Sequence, residues 1–147
     1  MWRRVGDRPS PPTVGAVSTV DDALARARQG WQRVTAAEAW ASARAGDALV
    51  VDTRTEAQRG RTGELPVGVV VDRTVLEWRL DPTAPTCIPE ALDRPRLIVV
   101  CRQGFSSSFA ARALRELGLD ATDVVDGVEG WLAAGLPLTA GPADVRE

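Results

Sequence analysis

Cys101 closes the apolar run Arg96-Leu97-Ile98-Val99-Val100 and opens the loop Cys101-Arg102-Gln103-Gly104-Phe105-Ser106. A helical pattern follows from about Ser107 to Leu117. A strand, a tight loop and a helix in that order aim successive backbone N–H groups at one point. A sulfur at that point is held as a thiolate, the nucleophilic form. The spacing predicts an enzyme that works through one cysteine. A second polar marker, Asp52, ends the apolar run Ala48-Leu49-Val50-Val51 in the same manner.

Placing these residues requires strands and helices in alternation. Runs apolar at every position, such as 48–51 and 97–100, fit strands buried on both faces of a parallel sheet. Further strands are expected at Val67–Val71 and Asp123–Asp126. A short helix is expected over Val20–Trp31, with Asp21 and Asp22 in its first turn. Thr35 and Glu38 form a capping box that opens a helix over Ala36–Ala45. Other helical patterns cover Thr74–Leu80, Ser107–Leu117 and Gly127–Ala134, with a helical turn at Pro89–Leu92. The segment Asp81–Pro89 holds three prolines and is expected to be a loop. The alternation predicts an α/β domain with a mainly parallel sheet. Sites in such sheets lie at the carboxyl ends of the strands, where Asp52 and Cys101 both fall. Residues 1–30 form an extension with a short helix, its first 20 or so residues a poorly ordered lead-in rich in Pro, Ser, Thr and Gly.

Composition excludes several chemistries. The 147 residues suit one domain, and a formal net charge of −2 offers no field for nucleic acid. All 18 basic residues are arginine, and there is no His. A Ser-His-Asp triad and a Cys-His dyad are therefore excluded. Two cysteines, Cys87 and Cys101, cannot close a structural zinc site or a disulfide framework. No cofactor or metal is expected. No stretch has the length of a secretory or transmembrane apolar run, so a cytoplasmic protein with reduced thiols and no membrane partner is expected.

Four markers occur in order: Val51-Asp52-Thr53-Arg54, Gly63-Glu64-Leu65-Pro66, the Cys101–Ser106 loop, and Asp126-Gly127-Val128-Glu129-Gly130-Trp131. Together they resemble a single-domain rhodanese. The resemblance covers about residues 33 to 138, within a domain placed at 31–140 and followed by a tail at 141–147. It implies a five-stranded, mainly parallel sheet flanked by helices on both faces. It also implies sulfur transfer from thiosulfate or a similar small donor anion to cyanide or a thiol, a protein thiol included. Cys101 would carry the sulfur as a persulfide in two covalent steps. Backbone N–H groups of residues 102–106 would cradle the anion, with Gly104 closing the loop and Ser106 donating to the sulfur or capping the helix.

Arg102 resembles the donor-binding arginine of thiosulfate-using loops. Gln103 departs from the basic residue often found next, which removes one charge. Arg73 is a candidate for the positive rim. Asp52 and Arg54 match the family's Asp-x-Arg, whose expected role is structural. Glu64 replaces the histidine usual in its marker, and an inward Glu64 would oppose an anion. Trp131, Trp40 and Trp78 are expected to pack in the core, while Phe105 either lines the pocket mouth or tucks inward. Cys87 is expected to be a bystander, with a resolving thiol as the alternative. Two other readings stand beside sulfur transfer. One is a non-catalytic binding or regulatory module. The other is a Cys-based phosphatase or arsenate reductase, which requires Cys-x5-Arg. The sixth residue after Cys101 is Ser107.

Overall fold

The computed structural model describes residues 18–147. The lead-in expected before residue 18 lies outside the described residues. Four parallel strands, β1 (Ala48–Asp52), β2 (Val69–Val70), β3 (Arg96–Val100) and β4 (Ala121–Asp123), stand in the order β2-β1-β3-β4. The strand order reverses between β1 and β3, which places Asp52 opposite Val100 at their carboxyl ends. That crevice is the preferred ligand site of an open α/β sheet.

The two-residue period of the strands splits the core into two layers. Val51, Leu97 and Val99 face one side, with Leu76 and Leu80 of α4 (Leu76–Leu80) and Ala110, Ala111 and Leu114 of α5 (Ser106–Glu116). Val50, Ile98 and Val100 face the other. They pack with Ala36 and Ala39 of α2 (Ala36–Ala45), and with Val128 and Trp131 of α6 (Gly127–Ala133). Trp131 is fully buried, meets Trp40 edge-on at 5.6 Å and donates from its indole N–H to the Pro137 carbonyl at 2.9 Å. Trp78 departs from the core expectation: it is 58% exposed.

The sheet has four strands among the described residues, not five. Beyond these strands, among the described residues, there are only isolated bridges: Val34 with Val124 and Val70 with Val145, both parallel, and Glu64 with Thr139, antiparallel. Strand β4 also starts and ends earlier than expected. Asp126 adopts a left-handed φ of 61°, so the chain has left the sheet before it. Strand β2 shrinks to two residues because Gly68, at φ 80°, turns the backbone just ahead of it. The first helix, α1 (Val20–Ala27), stops short of Trp31, and Arg28 caps it with its backbone N–H. Helix α3 (Glu56–Thr62) was not anticipated, although Thr55 and Gln58 cap it reciprocally, as Thr35 and Glu38 cap α2. Helix α1 packs on α5. The carboxyl end is tied down as well. Val70 N–H donates to Asp144 O, and Arg146 N–H donates to Val70 O. Among the described residues no helix is long and apolar enough to cross a membrane.

Candidate active site

Strand β3 delivers Cys101 to the foot of α5 with 5% of its surface exposed. Helix α5 has no side-chain cap at its N-terminus. The sulfur occupies that place: Gly104 N–H donates to Sγ at 3.1 Å, and Ser107 Oγ lies 3.2 Å from it. Burial pushes the thiol's acidity up the pH scale. Hydrogen bonds from the Ser107 and Ser106 hydroxyls and from the Ser107 and Gly104 N–H groups pull it down. The bonds win, and the Cys101 pKa lies below the ordinary thiol value. An acidified thiol leans less on a general base.

Two glycines are required by contact. Gly104 sits at φ 82°, and a Cβ there would lie 2.7 Å from Asp126 N and 3.0 Å from Val124 O. Gly127 lets α6 press against the loop, where its N-terminal amides take two loop carbonyls: Val128 N–H to Cys101 O at 2.9 Å and Glu129 N–H to Arg102 O at 3.1 Å. A Cβ on Gly127 would meet Cys101 O at 2.3 Å.

A cleft of about 260 Å³ opens over the sulfur, lined by Thr53, Gln58, Arg102, Gln103, Phe105 and Ser106 along with Cys101. Phe105 is exposed at its mouth, not tucked inward. Arg102 stands at the rim, half-exposed, 3.4 Å from Glu129. Gln103 leans on the same carboxylate at 3.4 Å. Asp52 and Arg54 form a buried pair below the cleft, with Arg54 Nη2 donating to Asp52 Oδ2 at 2.8 Å. Arg54 also donates to Thr62 Oγ1 and Gly63 O, tying α3 to the end of β1. Arg73 is not among the lining residues and is engaged by Glu77 one helical turn on. Glu64 turns to Arg59 at 2.7 Å, leaving the cleft free of its charge. Cys87 is half-buried against the α4 and α5 layer, and burial pushes its thiol up.

Beneath the loop lies a cluster that sequence reasoning did not single out. Asp123, fully buried at the end of β4, accepts from Ser107 Oγ at 2.7 Å and Ser108 Oγ at 2.8 Å. Arg33 grips both its oxygens at 2.8 and 2.9 Å. The one available sequence signal was an acid flanked by the apolar or small residues of a buried strand, which demands partners.

The family model of the rhodanese-like domain matches residues 35–134. No curated protein matches the chain. Among solved structures, a protein of unknown function from Rhodopseudomonas palustris, described as a possible tyrosine phosphatase, is similar at 26% identity and a TM-score of 0.75. It covers 90% of this chain and 100% of that one. Thiosulfate sulfurtransferase from Pseudomonas aeruginosa is similar at 25% identity and a TM-score of 0.68, over 87% of this chain and 24% of that chain. A rhodanese-related protein from Thermoplasma volcanium shares the fold at 21% identity and a TM-score of 0.59, over 76% of this chain and 100% of that one.

Proposed function

This chain belongs to the family of rhodanese-like domains, and from that premise we propose that it is a sulfurtransferase acting through Cys101. The observation that carries the reading is the thiol itself. It is buried at the foot of α5, its pKa is lowered by converging donors, and it lines the cleft. The Cys101 thiolate attacks the outer sulfur of thiosulfate or a similar sulfane donor. A new S–S bond forms, and sulfite leaves with the electron pair of the old one. The outer persulfide sulfur is then taken by cyanide or a thiol, and the Cys101 thiolate leaves. Amides of the 102–106 loop and the positive end of α5 stabilise the anion at each stage. Arg102 at the rim supplies the positive charge for the donor, in competition with Glu129. The likeness to the Pseudomonas sulfurtransferase supports the same choice of donor.

A phosphatase reading has one observation in its favour, the description of the Rhodopseudomonas structure. The site argues against it. The position six after Cys101 is Ser107, buried between Asp123 and the sulfur, where that chemistry needs an arginine around a tetrahedral oxyanion. Intact-protein mass spectrometry tests the proposal. Thiosulfate should add about one sulfur mass, cyanide should remove it, and Cys101→Ser should abolish the gain. No gain with thiosulfate or mercaptopyruvate, or a tenth or more of the transfer rate kept by Cys101→Ser, refutes it. Turnover of p-nitrophenyl phosphate dependent on Cys101 would establish the phosphatase instead.

A further inference from the structure

The amide cradle of Cys101 is held from outside by two guanidinium groups. Arg28 Nη2 and Arg33 Nη2 both donate to Gly104 O, each at 2.8 Å. A trans peptide sets its carbonyl and the following N–H on opposite sides. Fixing Gly104 O therefore turns the Phe105 N–H away from the guanidinium pair. The Gly104 N–H at the other end of the residue is the one that reaches the sulfur. Both arginines precede residue 35, where the family match begins.

The same two arginines control the hydroxyls below the sulfur. A hydroxyl has one proton to donate. Arg28 Nε donates to Ser108 Oγ at 2.9 Å, so the Ser108 proton is left for Asp123. Ser107 Oγ lies between Asp123 Oδ2 at 2.7 Å and Cys101 Sγ at 3.2 Å, and its proton serves one of them at a time. While Cys101 is a thiol, its S–H donates to Ser107 and Ser107 donates to Asp123. Once the sulfur is ionised, the Ser107 hydroxyl turns to it. Asp123 tolerates that loss because Arg33 and Ser108 still supply its oxygens.

We propose that Arg28 and Arg33 are positioning residues of the Cys101 site, locking the Gly104–Phe105 peptide, and with it the conformation of Gly104, and freeing Ser107 to serve the sulfur anion. The segment before the family-matched region thereby becomes part of the active site. The inference rests on Cys101 being the working nucleophile. Around the sulfur, the charged groups are Arg28 and Arg33 on the amino-terminal segment, Asp123 at the end of β4, and Arg102 with Glu129 at the rim. The mutually satisfied Asp52–Arg54 pair lies at the end of β1. Burial and Arg33 lower the Arg28 pKa, while Asp123 and Cys101 act to raise it.

The test is the pH profile of Cys101 alkylation by iodoacetamide, read on the Cys101 peptide of the full chain. It is run for the wild type, Arg28→Gln, Arg33→Gln and Arg28→Lys. Both Gln variants should react roughly threefold to tenfold more slowly at neutral pH, with profiles displaced to higher pH and converging with the wild type in alkali. Arg28→Lys, which keeps the charge, should fall between. Arg28 is only part-buried, so Arg28→Gln decides the matter if Arg33→Gln fails to fold. An Arg28→Gln profile superimposed on the wild type overturns the proposal. A displaced profile in a protein that takes no sulfur from any donor upholds the positioning role and refutes the sulfurtransferase reading alone.

Discussion

Replacing Asp52 with alanine leaves the Arg54 guanidinium where it is but strips it of its counter-ion. The pair is almost wholly sequestered, with side-chain exposures of 1% for Arg54 and 3% for Asp52. Arg54 Nε and Nη2 reach the carboxylate at 3.1 and 2.8 Å, and the Asp52 carboxylate also accepts the Arg54 backbone N–H at 3.0 Å. Only Thr62 Oγ1 and Gly63 O would remain as Arg54 acceptors. Breaking a buried pair from one side costs about 3–5 kcal/mol. An unfolding entropy of about 2.1 cal/mol/K per residue over a chain of this size converts that cost to a fall in Tm of roughly 10–15 °C. The assay is a double-mutant cycle on Asp52→Ala, Arg54→Ala and the double variant, followed by thermal and urea unfolding. The double variant should cost about as much as the worse single one, because the unpaired charge is removed with its partner. A Tm loss of less than about 3 °C for Asp52→Ala refutes the reasoning, since that is about what 1 kcal/mol produces here. Additive single costs refute it as well. Cys101 alkylation well below the melting temperature should stay within about twofold of the wild type, as expected of a pair that braces α3 and β1 without touching the sulfur.

Three further outcomes follow from the same geometry. Iodoacetamide near neutral pH should modify Cys101 before Cys87, because the first thiol's pKa lies below the ordinary value and the second's above it, so the thiolate fraction favours Cys101 until the pH passes both. Peptide mapping shows the order, and preferential labelling of Cys87 would contradict it. Gly104→Ala forces a Cβ against Asp126 N and Val124 O at a left-handed φ, so it should cost at least about 1–3 kcal/mol and slow Cys101 alkylation at neutral pH, with wild-type behaviour on both counts as the refuting result. Trp131→Ala empties the centre of the α2–α6 layer and should destabilise by about 3–5 kcal/mol in urea unfolding; a cost under 1 kcal/mol would mean that the layer collapses around the gap.

Much of this molecule was legible because the relevant physics is local. The apolar runs at 48–51 and 97–100 are buried parallel strands, and the turn after each leaves Asp52 and Cys101 at adjacent strand ends. The Cys101 loop and its helix are contiguous, so their amide geometry followed from a few residues. Asp52 and Arg54 stand two apart and their expected role is structural, though only the fold shows them paired with each other. Helix α3 carried its signal too, in Thr55 and Gln58, but its sequence Glu-Ala-Gln-Arg-Gly-Arg-Thr offers no apolar stripe to reveal it.

Other decisions belonged to the tertiary structure. The exposed Arg102 lies beside Glu129, and Glu64 is turned aside by Arg59 five residues earlier, whose register depends on how α3 meets the loop after it. The shortened β2 and β4 were set by left-handed backbone at Gly68 and Asp126. Above all, Asp123 finds Arg33 from 90 residues away, and Gly104 O finds Arg28 from 76. Buried charge demands a partner, and sequence shows that demand. Which arginine among 18 answers it depends on the sheet order that brings the end of β4 beside the turn after α1.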